Sequence, residues 1–160
     1  MDTTLTPISR TLLIEDFQLW KATGSYMSSI TNLYYRLEGD DIKFRVEVTE
    51  AHCNASGSAH GGFLSTLADC WMASNVNLRL PLNARFVTSN LSVDFLCSAR
   101  PGDILESRIT HIKIGKRLCF SYGAILLDGE PIAEIRATFV RLHSSFATEM
   151  NQPVNLREPV

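Results

Sequence analysis

The chain has 160 residues and a formal net charge of −2, with 45% hydrophobic and 20% charged residues. At roughly 150 residues per domain that is one domain, too apolar for a disordered segment and too charged for a membrane bundle. Near-neutral charge also lacks the basic footprint of a nucleic-acid binder, and Met1 to Trp20 holds no basic stretch followed by an apolar one, so a cytoplasmic location, away from membranes, is expected.

Residues 1–24 form a lead-in, in which Leu12, Leu13, Phe17, Leu19 and Trp20 have roughly helical spacing ending near Gly24. A body then runs over 25–143. Asn32 to Leu37, the turn Gly39-Asp40-Asp41 and the alternating Ile42, Phe44, Val46 and Val48 predict a β-hairpin. Glu50 to Ala59 is small and polar, a loop. From His60 to about Leu78 the spacing becomes helical, with Phe63, Leu64, Leu67, Ala68, Trp71, Met72 and Val76 covering more than half the circumference. A helix that apolar must be buried on most sides.

After Pro81 the pattern is strand-like. Val87, Leu91, Val93 and Phe95 alternate with Thr88, Asn90, Ser92 and Asp94, which places Thr88 on the polar face. Turns at Pro101-Gly102-Asp103, Gly115-Lys116-Arg117 and Asp128-Gly129 separate three further strands ending at Leu142, and 144–160 reads as a loose tail. The expectation is an α+β fold: two strands, one buried helix, then four strands in an antiparallel meander.

Cys53, Cys70, Cys97 and Cys119 include no CxxC pair and no zinc-type spacing with a histidine. Reduced thiols are expected, with Cys70, Cys97 and Cys119 as small core residues and no metal site. No GxxxxGK[ST] or GxGxxG element supports nucleotide chemistry. His52 is a candidate for a pocket rim, and His111 and His143 read as surface or partly buried strand residues.

Asp69 is the informative residue. It sits mid-helix between Ala68 and Cys70, with Ser65 and Thr66 one turn earlier. A carboxylate on so apolar a helix is costly unless partnered. It suits either a general base or a structural acid bonded to Ser65 or to sheet backbone. Gly61-Gly62 at the helix start allows either close approach of a ligand to free backbone N–H groups or simply a tight turn. His60 and Asp69 project on opposite faces, ~13.5 Å apart along the axis at ~1.5 Å per residue. One chain therefore hardly brings both to one substrate atom. A two-fold dimer with antiparallel helices would do so, giving two composite sites.

Asn54, Gly57, His60-Gly61-Gly62 and Asp69, at these spacings, resemble the signature of hotdog-fold acyl-CoA thioesterases of the phenylacetate-degradation (PaaI-like) branch. The resemblance spans Tyr34 to Leu142, and Ser98 to Asp103 resembles the family's strand-to-strand turn. It implies one long central helix wrapped by a curved antiparallel sheet, and an acyl-CoA substrate with no separate cofactor. Asp69 would be the catalytic carboxylate, as nucleophile or as base. Gly61 would polarise the thioester carbonyl through its N–H, with Gly62 beside it. Asn54 and His60 would orient water or carbonyl, and Thr88, with Ser89 as neighbour, would stand near the water. Lys116 and Arg117 would lie near the coenzyme phosphates, where Arg binds bidentately. The family also implies a homodimer and leaves open its pairing into a tetramer.

Alternatives remain at this stage: helix capping for His60, a surface strand position for Thr88, and a solvated hairpin for Lys116 and Arg117. The competing function is a non-catalytic acyl-thioester-binding module, against which Asp69 argues, because a pure binder gains nothing from a carboxylate facing a carbonyl. Hotdog hydratases carry differently spaced acid–histidine pairs that are not found here.

Overall fold

A computed structural model describes residues 16–20 and 26–142; Leu12, Leu13, His143 and the tail lie outside the described residues. In chain order the elements are β1 Gln18–Leu19, α1 Tyr26–Ile30, β2 Tyr34–Glu38, β3 Asp41–Glu47, a 3-10 turn at Glu50–His52, α2 Gly61–Leu78, β4 Phe86–Phe95, β5 Ile104–Ile114, β6 Leu118–Leu127 and β7 Glu130–Arg141. The strands pair antiparallel in the order β1-β2-β3-β5-β6-β7-β4. The curved sheet wraps α2, which touches β3, β4, β5, β6 and β7. Among the described residues no helix is long and apolar enough to cross a membrane.

The composition of α2 explains this arrangement. Leu67, Ala68, Trp71, Met72 and Val76 are fully buried, and a flat sheet would cover only one stripe of such a helix. Trp71 stacks on Phe44 of β3 at 6.1 Å between centroids, and Phe44 stacks on Trp20 at 4.8 Å. What stays partly open is a seam of small and polar residues, Gly62, Thr66, Asp69, Ala73 and Asn77, spaced three or four apart.

Two buried polar side chains repair the sheet where β3 diverges from β5. Those strands pair only over Arg45 to Glu47. Beyond that, Asn75 of α2 takes the place of a neighbouring strand: its Oδ1 accepts from Ile42 N–H at 2.8 Å, and its Nδ2 donates to Ile42 C=O at 3.0 Å. Ser107 Oγ accepts from Phe44 N–H at 2.9 Å. Buried backbone groups need partners, and these side chains supply them.

The hairpins follow their turn chemistry. Asp128 and Gly129 both have positive φ, 53° and 86°, as a type I′ turn requires. The Arg100-Pro101-Gly102-Asp103 turn is closed by Asp103 Oδ2 accepting from Arg100 N–H, and docks on β3 through Gly102 N–H to Val48 C=O.

Four expectations change. β4 does not join the meander; only β5, β6 and β7 do, and β4 returns to the far edge to pair with β7. Alternation identifies a strand without identifying its neighbours, and the chain leaving the C-terminal end of α2 reaches that edge first. Helical spacing does not persist through Trp20: Gln18–Leu19 pairs with Tyr34 and Tyr35, and Phe17 is buried with the Arg36 and Arg45 guanidinium groups 4.8 and 4.3 Å from its ring centroid. A short helix does lead into the hairpin, at α1. Cys97 is exposed rather than core, while Cys119 is buried; all four cysteines are free. Finally, Thr88 leaves the polar face, for a reason given below.

Two outcomes are expected. Asn75→Ala strands the Ile42 N–H and C=O, so urea unfolding should show a loss of about 2–6 kcal/mol, at about 1–3 kcal/mol for each of the two unsatisfied buried groups. Burial pushes the Cys70 thiol up to about 12, with the Asp69 charge adding to the shift and a hydrogen bond with Ser74 opposing it. Because the thiolate is the reactive form, peptide mapping after iodoacetamide at pH 8.5 should find Cys70 unmodified in the folded protein and modified in urea.

Candidate active site

The loop between β3 and α2 is built by its own backbone. Cys53 bridges to Ala59, Asn54 N–H donates to Ser58 C=O at 2.8 Å, and Gly57 N–H donates to Asn54 C=O at 2.9 Å with Gly57 at φ +73°. The Asn54 side chain tightens it: Oδ1 accepts from Ser56 N–H at 2.9 Å and Nδ2 donates to Ser58 Oγ at 3.1 Å. Within one chain Asn54 thus holds the loop's shape. His60 N–H donates to His52 C=O, and Ala59 N–H to Ala99 C=O, both at 2.8 Å. The start of α2 is thereby pinned from two sides.

His52 is the anchor beneath. It is buried, stacks on Phe63 at 4.0 Å, receives Thr49 N–H on Nδ1 at 3.0 Å, and places Nε2 3.1 Å from Ile30 C=O. With Ser28, Thr31, Tyr34, Glu47 and Thr49 it lines a cavity of about 320 Å³ whose walls include none of Asn54, His60, Gly61 or Asp69. His52 is therefore a structural residue beside a different cavity. His111 is exposed.

At the helix start His60 is the N-cap, with Nδ1 accepting from Gly62 N–H at 2.8 Å. Nδ1 as acceptor leaves the ring proton on Nε2, in the neutral tautomer. Gly62 N–H is thereby used, and a Cβ on Gly62 would lie 2.9 Å from Nδ1. Gly61 N–H has no acceptor among the described residues, as expected of a first-turn amide. Beside it lies a residue that sequence reasoning missed. Phe95 Cζ is 3.1 Å from where a Gly61 Cβ would stand. Alternation with Leu91 and Val93 puts Phe95 on the apolar face of its strand, yet it is 53% exposed.

Asp69 lies eight residues on, ~12 Å along the axis at ~1.5 Å per residue. Its partner is neither Ser65 nor backbone. Ser65 Oγ donates to Gly61 C=O at 2.8 Å, while Thr88 Oγ1 donates to Asp69 Oδ1 at 2.8 Å. This is the correction to Thr88: the β4–β7 register shifts between Thr88, opposite Phe139, and Asn90, opposite Thr138. The extra residue, Ser89, is a β-bulge. It turns Thr88 to the helix side while Asn90, Ser92 and Asp94 stay on the outer face. Thr88 and Phe95 are an odd number of residues apart, so without the bulge they would face opposite sides. Ser89 itself is exposed at the edge.

Lys116 and Arg117 are exposed in the β5–β6 turn, which is tied down by Arg117 C=O accepting from Arg141 N–H at 2.8 Å. Cys119, two residues on, lies in register with Phe139 and so with Thr88, roughly 10 Å away across two strand spacings. The two cations therefore stand at the Asp69 end of the molecule, away from Gly61.

Known proteins fit this description. The family model of the thioesterase superfamily matches residues 56–130. A Pseudomonas aeruginosa protein named as a candidate esterase is 40% identical over 85 residues, 53% of this chain and 63% of that protein, so the chain spans under two thirds of that relative's length. A solved mutant of the phenylacetic acid degradation protein PaaI from Thermus thermophilus superposes with a TM-score of 0.64 at 27% identity, covering 73% of this chain and 98% of that one. A Bacillus halodurans protein solved with CoA superposes with a TM-score of 0.58 at 27% identity, covering 62% and 66%. Over its matched core the chain is similar to the thioesterase superfamily, and its architecture is the hotdog fold, with PaaI-like proteins among its structural neighbours.

Proposed function

We propose that the protein hydrolyses acyl-CoA thioesters to free acid and CoA, in composite sites formed by two copies of the chain. The observation that carries this reading is the separation on α2 of a free N–H at Gly61 from a carboxylate held by Thr88 at Asp69. Each is half of a hydrolytic site. Antiparallel pairing of two α2 helices through the seam of Gly62, Thr66, Asp69 and Ala73 sets Asp69 of one copy opposite Gly61 of the other, twice. β4, an edge strand with an unpaired side, offers its ladder to the same partner.

In this site Gly61 N–H donates to the thioester oxygen and stabilises the oxyanion that forms on attack. Thr88 fixes Oδ1 of Asp69 and leaves Oδ2 free. That oxygen either takes the proton of an attacking water or attacks the carbonyl carbon itself, with water releasing the acyl group afterwards. In either route the C–S bond breaks as the tetrahedral adduct collapses, before water attacks any Asp69 anhydride, and the proton given up by the attacking water goes to the thiolate, so that CoA leaves as the thiol. Asn54 and the His60 Nε2–H lie on the Gly61 side to orient water or carbonyl. Lys116 and Arg117, on the Asp69 side of the second copy, would meet the coenzyme phosphates. The Bacillus halodurans relative solved with CoA supports that choice of leaving group.

Asp69→Asn should lower kcat by about 10²–10⁴-fold with the fold intact. Compared with Gly61→Ala, which adds the same Cβ beside Phe95 Cζ and keeps the amide, Gly61→Pro removes the N–H, because proline is accepted at a first helical position and His60 already has the extended backbone that a following proline requires, φ −66° and ψ 135°. It should cost about 10²–10³-fold. Mixing Asp69→Asn with Gly61→Pro restores one intact site per mixed dimer, so random exchange should return roughly a quarter of wild-type activity. No recovery in verified mixed dimers would contradict the composite site.

A further inference from the structure

The ring of Phe95 stands beside Gly61, whose N–H has no acceptor among the described residues. Its Cζ, Cε2 and Cε1 lie 3.1, 3.4 and 3.6 Å from the Cβ position of Gly61, so the tip of the ring points there. In a helix that position tilts toward the N-terminus, the direction in which the Gly61 N–H also points. A carbonyl oxygen accepting from this N–H therefore has Phe95 alongside it.

The ring is also firmly placed. Phe95 is the last residue of β4, opposite Ala133 of β7, and the next two amides, Leu96 and Cys97 N–H, both donate to Ile132 C=O at 2.9 and 3.1 Å. Its backbone cannot swing aside without breaking these bonds. About half of the surface of Phe95 nevertheless remains exposed in the single chain. A buried core phenylalanine would show no such surface.

We propose that Phe95 is a specificity-determining residue, walling the carbonyl position at Gly61 and selecting against acyl groups substituted at carbon 2. The inference rests on the thioesterase reading. An unbranched acyl group extends past the ring edge in one plane, whereas a second substituent on the carbon next to the carbonyl meets Cζ. Pockets discriminate a single methyl by about 10-fold to 200-fold, and a rigid wall acts by rejection rather than attraction.

The test compares propionyl-CoA with 2-methylpropionyl-CoA, in hydrolysis and in calorimetric binding of the corresponding ketone analogues in which CH₂ replaces sulfur. Phe95→Ala should shift the kcat/KM ratio about tenfold toward the branched substrate, and the Kd ratio in the same direction. Phe95→Leu, which keeps part of the wall, should stay within about threefold of wild type. Ratios that do not move in Phe95→Ala, in either measurement, would overturn the proposal. Binding of both analogues without hydrolysis by wild type of any short, medium, long or aromatic acyl-CoA would defeat the thioesterase reading instead, and the Kd ratio would then decide the role of Phe95 by itself.

Discussion

The structure depends on burying one helix. α2 is apolar around most of its circumference, so no arrangement that covers a single stripe leaves it stable in water. A curved sheet that wraps it is the consequence, and only a narrow seam stays open. The polar residues of α2 then sort by position. Asn75 is 0% exposed and serves as a substitute strand for Ile42, and Ser74 returns its hydroxyl to Cys70 C=O. Asp69, on the seam, is the one whose partner comes from another element's side chain and leaves an oxygen uncommitted.

The second constraint is the edge strand. β4 supplies Thr88 to the carboxylate at one end and Phe95 to the helix start at the other. The bulge at Ser89 is what allows both, because it changes the parity of the strand between them. Bulges next to active sites commonly re-aim a side chain, and here the re-aimed hydroxyl is the one that holds Asp69. The helix start is pinned independently, through His52, Ala99 and the His60 cap. The Gly61 amide and the Asp69 carboxylate are thus held by different contacts, with α2 and β4 both spanning the distance between them.

Much of this was legible in the sequence, and the failures have physical causes. Helical periodicity from His60 to Leu78 and the Asp128-Gly129 turn translate directly, because each is a local rule of one element. The position of β4 was not legible, since pairing partners depend on where the chain lands after α2. Thr88 was found through resemblance, while alternation placed it on the wrong face, because a one-residue bulge leaves no mark in the hydrophobic pattern around Ser89. Phe95 read only as a member of the apolar face of its strand, because period-2 spacing reports the face of a sheet and not whether anything covers it. Asn75 carried a usable signal: an amide amid Trp71, Met72 and Val76 must find buried partners.

Hydrolysis is tested most directly by the loss of thioester absorbance when wild-type protein meets short, medium, long and aromatic acyl-CoAs. That readout avoids thiol-reactive dyes, which the exposed Cys97 would consume. Multiple turnovers with at least one of these esters are expected. Tight binding of acyl-CoA with no turnover of any of them would contradict the thioesterase reading and leave a binding module built on the same fold.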